Sequence, residues 1–216
     1  MAMTISRPLV FSLLIALAAG CETAYYSVNE QFGRLKNDIL VDRVEDAVEA
    51  QEDAKEEFQS ALEQFETLVG VPESDLKSTY NRLNDAFEDA QARAEAVSSR
   101  VDSVENVADD LFEEWEDELE QISSANLRQK SAQQLRQSRT RATNLVRAMR
   151  RAESRMQPVL TTFQDHVLYL KHNLNAQAIA SLKGELGGIE GDVGQLIRDM
   201  EASISEAQQF LAQMDT

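Results

Sequence analysis

The residue best suited to covalent chemistry is Cys21, which is the only cysteine in the chain of 216 residues. A single cysteine excludes a disulfide within the chain, so the thiol is left for a modification or for burial. Residues 8–19 before it are almost entirely apolar, and Arg7 is the only positive charge among the first twenty residues. A membrane-spanning helix needs about 20 apolar residues, so this shorter run is typical of a secretory signal peptide.

The sequence LAAGC at residues 17–21 resembles the processing site of bacterial lipoproteins. The resemblance implies cleavage between Gly20 and Cys21, removal of residues 1–20 as a signal peptide, and acylation of Cys21, with palmitate among the lipids. The alternative is a free or buried thiol after an ordinary signal peptide. If Cys21 is acylated, residues 21–24 form a lipid-anchored leader that holds the protein on a membrane. Glu22 stands where Asp would resemble the inner-membrane retention signal, which favours the periplasmic face of the outer membrane over the inner membrane.

The other candidates for chemistry are His166 and His172, the only two histidines. Six residues apart on a helix, they differ by about 240° in direction and do not face one ligand. Together with Lys171, Asn173 and Asn175 they predict a polar network at a helix turn rather than a metal or acid–base site. No nucleophile elbow and no phosphate-binding glycine loop occurs in the sequence. We therefore expect no enzyme activity, no metal and no cofactor other than the covalent lipid on Cys21.

The composition predicts that long helices carry these residues. The chain is rich in Ala, Glu, Gln, Arg and Leu, and only two prolines, Pro72 and Pro158, follow the signal peptide. Apolar residues recur at alternating intervals of three and four along four segments, at about residues 25–69, 74–122, 125–172 and 175–214. Gln51, Lys55 and Glu118 are polar interruptions of these apolar seams.

Three short breaks separate the segments. Gly70 and Pro72 predict a turn in which the glycine is left-handed, Ser123 and Ser124 offer caps for a third helix, and Asn173 and Asn175 mark the last turn. Segments of similar length joined by short turns fold back antiparallel. We therefore predict an all-α fold: a single domain over residues 25–216 that forms an elongated antiparallel four-helix bundle with coiled-coil-like packing. A bundle of three helices with a detached fourth is the alternative, and Pro158 is expected to kink the third helix.

Five glycines fall within eleven residues of the fourth segment, although each costs about 0.5 to 1 kcal/mol in a helix interior relative to alanine. One interpretation is a surface on which another helix docks closely, and the other is a loosened or broken helix. The five glycines are Gly184, Gly187, Gly188, Gly191 and Gly194.

The charge distribution is uneven along the chain. Residues 22–127 hold 29 acidic and 8 basic side chains, whereas residues 128–172 hold 2 acidic and 10 basic ones. The net charge of −17 and the absence of a nucleic-acid module argue against a nucleic-acid partner. We expect the arginines of the third helix to pair with acidic neighbours across helix flanks. These arginines are Arg128, Arg136, Arg139, Arg141, Arg147, Arg150, Arg151 and Arg155.

Three stretches resemble the bacterial family known as domain of unknown function 2959: residues 38–47 (DILVDRVEDA), 58–65 (FQSALEQF) and 167–176 (VLYLKHNLNA). The resemblance runs from about residue 24 to the C-terminus and implies a helical lipoprotein of the cell envelope. It brings no catalytic residues.

The first function that we predict is therefore a lipid-anchored spacer, scaffold or regulator of an envelope component. Its partner is an unidentified envelope protein or a second copy of the chain. The alternative is a periplasmic binding or chaperone-like module, whose acidic helical faces hold basic proteins or cations. The run of residues 113–118 (EEWEDE) belongs to those faces.

Overall fold

The computed structural model describes the backbone of residues 21–214 and the side chains of residues 36–72 and 74–214. Four helices make up almost all of this part of the chain, and it contains no strand. The helices are α1 (Cys21–Gly70), α2 (Leu76–Gln121), α3 (Ala125–His172) and α4 (Ala176–Met214), with a short 3-10 turn at Glu73–Asp75. The all-α prediction is confirmed.

Each helix packs against the one before it, and α4 closes the arrangement by packing against α1 as well as α3. Short connections reverse the chain three times, so the helices alternate in direction and stand in the order α1, α2, α3, α4 around a common axis. The four-helix bundle is therefore confirmed, and a detached fourth helix is wrong. At 1.5 Å per residue the helices are about 60 to 75 Å long. Among residues 21–214, no helix combines the length and the apolar character needed to cross a membrane.

Among the described side chains the core runs along most of the bundle, from Leu40 of α1 onward, and is built from residues three and four apart. In α1 these residues form one broad buried face that covers the neighbouring helices. The buried apolar residues of α1 are Leu40, Val44, Ala47, Ala54, Phe58, Ala61, Phe65 and Leu68. Phe65 reaches across the core to α3, where its ring meets Phe163 edge-on at a centroid distance of 6.4 Å.

The turn between α1 and α2 differs from the prediction. Gly70 is the last residue of α1, and no glycine among the described residues has a positive φ angle. The reversal is made instead by the 3-10 turn, in which the Asp75 amide donates to the Pro72 carbonyl at 3.0 Å. The left-handed conformation predicted for Gly70 is wrong, because this compact turn satisfies the backbone without it.

The other two turns contain the predicted caps. The Ser124 hydroxyl accepts a hydrogen bond from the Leu127 amide at the start of α3, at 3.5 Å. The Asn175 side-chain oxygen accepts one from the Ala178 amide at the start of α4, at 3.0 Å. Between these caps α3 continues as one helix through Pro158.

Candidate functional site

The predicted attachment point for a lipid stands at one end of the bundle, since α1 begins at Cys21. The predicted signal peptide with Gly20, and the Cys21 side chain, lie outside the described residues. The same end holds the turn between α2 and α3, whereas the opposite end holds the other two turns. A lipid on Cys21 would thus be joined to one end of a long rod.

The predicted turn network is divided between two places. Asn173 and Asn175 bind the backbone of the turn: the Asn173 side chain donates to the Tyr169 carbonyl at 3.0 Å, and Asn175 caps α4. Lys171 and His172 are exposed at the end of α3. His166 lies one turn earlier and is not part of the cap.

His166 packs against α1, with its ring 5.3 Å from the ring of Phe65. Partial burial lowers the pKa of His166, although the nearby Glu185 and Asp165 act in the opposite direction. Burial therefore favours the neutral form of the imidazole. Among the side chains of residues 36–72 and 74–214, no group of three or more His, Asp or Glu is arranged to hold a metal ion.

The five glycines lie in a continuous helix, so the interpretation of a broken helix is wrong. A Cβ atom added at Gly184, Gly187, Gly188 or Gly191 would meet no atom within 4 Å, and one at Gly194 would meet only the Arg198 guanidinium at 3.5 Å. No other helix of the described bundle approaches these positions. The glycines form an open surface on the outer side of α4.

Arg150 is the centre of the densest polar cluster. Its guanidinium contacts Asp102 at 2.6 Å, Glu105 at 2.5 Å and Glu153 at 2.9 Å, and Glu153 also accepts from the Ser98 hydroxyl at 2.6 Å. Partial burial lowers the pKa of Arg150, but hydrogen bonds to the three carboxylates outweigh it and raise the pKa. The cluster fixes α3 against α2 near the middle of both helices.

Further ion pairs at this level link the other helices. Asp53 of α1 pairs with Arg93 of α2 at 2.9 Å, and Arg155 of α3 pairs with Asp199 of α4 at 3.1 Å. Gln51 of α1, predicted as a polar interruption of the apolar seam, is fully buried at this level. Neither the oxygen nor the nitrogen of its amide has a hydrogen-bond partner in the described part of the chain.

The buried hydroxyl of Ser203, one turn beyond Asp199, also lacks a hydrogen-bond partner among the described residues.

Next to the Arg150 cluster, α2 and α3 flank a groove of about 660 Å³, which is lined in part by Ser98, Arg150 and Glu153. Its lining includes the apolar residues Phe87, Ala94, Met156 and Leu160.

The outer surface of α1 carries an acidic stripe, which is one of the acidic helical faces predicted from the sequence. Its carboxylates are exposed, and their positions alternate by four and three along the helix, with Gln59 taking the one place that is not acidic. None of them belongs to an ion pair within the described residues. The stripe consists of Asp38, Asp42, Glu45, Glu49, Glu52, Glu56, Glu63 and Glu66.

A second acidic row follows the outer surface of α2 with the same alternation, interrupted by Ala92, Ser99 and Asn106. Two of its carboxylates pair with α3, because Asp102 binds Arg150 and Glu116 binds Arg139. The row consists of Asp85, Glu88, Glu95, Asp102, Asp109, Glu113, Glu116 and Glu120.

The acidic run at residues 113–118 is partly used inside the bundle. Glu114 pairs with Lys36 of α1 at 2.8 Å, and the Trp115 indole donates to the Ser131 hydroxyl at 2.9 Å. Burial raises the pKa of Glu118, and the neighbouring Glu114 raises it further. These contacts hold α1, α2 and α3 together near the end where α1 begins.

The arginines of α3 divide into two groups. Arg139, Arg150 and Arg155 pair with carboxylates, as the sequence predicts. The other five have no ion pair within the described residues, so the expected pairing across helix flanks is wrong for them. Of these five, all but Arg141 are exposed. Arg128 donates to the Ile122 carbonyl in the turn before α3, whereas Arg136, Arg147 and Arg151 lie on the outer surface of the helix.

Among known protein families, the one described as "Protein of unknown function (DUF2959)" matches residues 25–214. No curated protein and no solved structure matches the chain. The family match covers the four helices except for the first few residues of α1, and its description assigns neither an activity nor a ligand.

Proposed function

The chain belongs to the DUF2959 family, as its sequence stretches predicted, and we propose that it is a lipid-anchored structural or interaction protein of the bacterial cell envelope. In this proposal the bundle acts as a helical spacer, scaffold or regulator of another envelope component. Acylated Cys21 holds it on the periplasmic face of the outer membrane. The proposal includes no catalytic step and no cofactor other than the covalent lipid.

The observation that carries the proposal is where the charged and polar side chains lie. They follow the outer surfaces of a bundle about 60 to 75 Å long. Examples are the acidic stripe of α1, the acidic row of α2 and the exposed arginines of α3. An enzyme site would instead bring several such groups together around one small volume. Within the described residues the Arg150 cluster is such a gathering, but its three carboxylates bind the guanidinium and fix α3 against α2. Groups distributed along a rod are suited to contact with other macromolecules over its length.

The position of Cys21 supports the anchored form. A chain acylated there would be attached at the first residue of α1, and the turn at Gly70 would lie at the far end of the bundle. Two or more acyl chains give stable membrane attachment, so no membrane-spanning helix is needed. The far end would stand up to about 75 Å from the point of attachment.

Mass spectrometry of the protein purified from cell membranes tests the anchor. We expect a mature chain that starts at Cys21 and carries acyl groups, and a Cys21→Ser variant that is neither processed nor acylated. An unmodified thiol on Cys21 in the mature protein would contradict the anchor.

Photo-crosslinking in living cells tests the interaction role. A crosslinker at Leu168 or Tyr169, which are 50% and 42% exposed near the far end, should capture one or a few defined envelope proteins. The same group at the buried Phe163 serves as the control and should capture none. Capture that is equal at the exposed and the buried positions would contradict a specific partner.

The acidic rows favour a second candidate function, in which the bundle holds basic proteins or cations. Exposed carboxylates without ion pairs attract cationic ligands along α1, and salt weakens this attraction. Titration of the protein with a basic polypeptide such as polylysine, at low and high salt, tests this candidate. Binding that is unchanged in a Glu49→Gln, Glu52→Gln, Glu56→Gln variant would exclude the α1 stripe as the binding surface.

A further inference from the structure

The outer side of α3 presents cations that the bundle itself does not neutralise. Arg136, Arg147 and Arg151 are exposed, and none has a carboxylate partner within the described residues. Arg147 donates only to the neutral Asn144 side chain, at 3.2 Å. Arg136, Arg147 and Arg151 lie on one side of the helix, and we call them the basic face of α3. A basic face on a chain with a net charge of −17 indicates an acidic partner.

The same chain carries a surface of the opposite charge that is about twice as long as the basic face. The acidic stripe of α1 runs from Asp38 to Glu66, which is about 42 Å along the helix. The alternation of four and three keeps a row straight along a helix that packs in coiled-coil fashion. A straight row of carboxylates can therefore meet a neighbouring helix along several turns.

The order of the helices points these two surfaces in opposite directions. Since α2 packs on both α1 and α3, and α4 does so too, α1 and α3 occupy diagonal positions in the bundle. Their exposed sides therefore face away from each other. The basic face of one copy can meet the acidic stripe of a second copy that has the same orientation, because α1 and α3 run in the same direction.

The two surfaces also lie at the same height along the rod. Phe65 of α1 packs against Phe163 and His166 of α3, so a residue of α1 is level with the α3 residue about one hundred positions later. By this relation Arg147 and Arg151 are level with the part of the stripe that contains Glu45, Glu49 and Glu52. Two copies can therefore pair side by side with little or no shift along their axes.

We propose that the basic face of α3 docks on the acidic stripe of α1 in a second copy of this chain. Each copy keeps one surface of each kind free, so the contact does not close on itself and generates a row of parallel rods. Copies anchored to one membrane would meet in this orientation and at this height. The contact itself does not depend on the anchor, so it can be tested separately from the proposed function.

Sedimentation equilibrium of the purified full-length protein, in a density-matched non-ionic detergent, tests the proposal. We expect concentration-dependent association at about 0.05 M NaCl and a monomer at about 0.5 M NaCl, since salt screens contacts between exposed charges. An Arg147→Glu, Arg151→Glu variant should associate about tenfold more weakly or not at all, because like charges then face each other. A Glu45→Arg, Glu49→Arg variant should behave in the same way.

Mixing the two variants provides the sharpest control. Each should be a monomer alone, and the mixture should associate, because every contact between the two kinds of molecule again joins opposite charges. A Lys183→Glu, Arg198→Glu variant makes the same change in net charge on the exposed side of α4 and should associate like the wild-type protein. Circular dichroism would verify that every variant remains helical.

Three results would overturn the proposal. The first is a wild-type protein that is a monomer at both salt concentrations, and the second is association that persists in the Arg147→Glu, Arg151→Glu variant alone. The third is a monomer that binds phosphatidylglycerol vesicles through Arg147 and Arg151, which would assign the basic face to an anionic lipid surface instead.

Discussion

Replacing the exposed glycines of α4 by alanine should make the protein more stable. A Cβ atom at Gly184, Gly187, Gly188 or Gly191 meets no atom within 4 Å, so the substitution brings no steric cost within the described bundle. None of these glycines has a positive φ angle, and alanine therefore adopts the same backbone without strain. What remains is the difference in helix propensity, which favours alanine.

The expected gain follows from that difference. Alanine is better than glycine in an exposed helix interior by about 0.8 to 1.0 kcal/mol, so the four substitutions together should add roughly 3 to 4 kcal/mol to the free energy of unfolding. Exposed positions without shared partners contribute almost independently. For a chain of this size, the melting temperature should rise by about 10 °C.

Urea and thermal unfolding, followed by circular dichroism, measure the effect on the quadruple variant and on each single variant. Ala202→Gly is the matched control, because Ala202 is also exposed on α4 and the change should cost about 1 kcal/mol. A Gly188→Leu variant, examined by sedimentation, adds a test of docking. An unchanged mass with a raised melting temperature would exclude a docked helix at this position.

Unchanged or lower stability of the quadruple alanine variant would refute this reasoning. It would mean that the open space on the outer side of α4 is occupied in solution. A Cβ atom would then push away a helix of another molecule, and the glycines would be the docking surface that the sequence also suggested. The loss should in that case depend on protein concentration.

Three further predictions concern single side chains. Because burial lowers the pKa of His166, protonation of this residue favours the unfolded chain. The free energy of unfolding should therefore fall as the pH drops from about 7.5 to 5.5, through the ordinary histidine pKa of about 6.5. In urea titrations at the two pH values, a His166→Phe variant should lose less of this free energy than the wild-type protein. Gln51→Leu removes a buried amide that has no partner among the described residues and should stabilise the protein by about 1 to 3 kcal/mol. The same change at the exposed Gln59 is the control and should alter the urea midpoint little. A destabilised Gln51→Leu variant would reveal a bound water or another partner of the amide. Arg150→Gln leaves three carboxylates without their cation and should lower the stability measured by thermal unfolding by about 1 to 2 kcal/mol. Arg147→Gln is the control and should change stability by less than about 0.5 kcal/mol. Equal effects of the two substitutions would contradict a structural role for the Arg150 cluster.

The sequence predicted the fold well because long seams of apolar residues allow few arrangements. Four segments of similar length, separated by short turns, bury their seams most simply in an antiparallel bundle. The caps were also predictable, since Ser124 and Asn175 act on the backbone a few residues away. Such local chemistry does not depend on the remainder of the fold.

The errors arose where the outcome depends on other helices. Leu127 continues the apolar seam of α3 but is 59% exposed. Arg155 pairs with Asp199, and α3 and α4 run in opposite directions, so the end of α4 at Met214 is level with about residue 140 of α3. The first turns of α3, where Leu127 lies, therefore have no α4 beside them. The glycines of α4 are another example, because spacing alone does not reveal whether a helix lies over them.

The sequence predicted acidic helical faces from composition, whereas the straight row on α1 follows from the periodicity of its carboxylates. Its alternation of four and three is the alternation of the buried seam, displaced to the opposite side of the helix. A row with the α-helical period of 3.6 residues would wind around a supercoiled helix, whereas this row stays on the outside throughout. Solubility alone requires only that the outer residues are polar, and a mixture of charges would serve it as well. Instead, α1 presents carboxylates at nearly every such position, and α3 presents arginines without ion pairs at the same height. These two rows therefore indicate surfaces that meet other surfaces along the length of the rod.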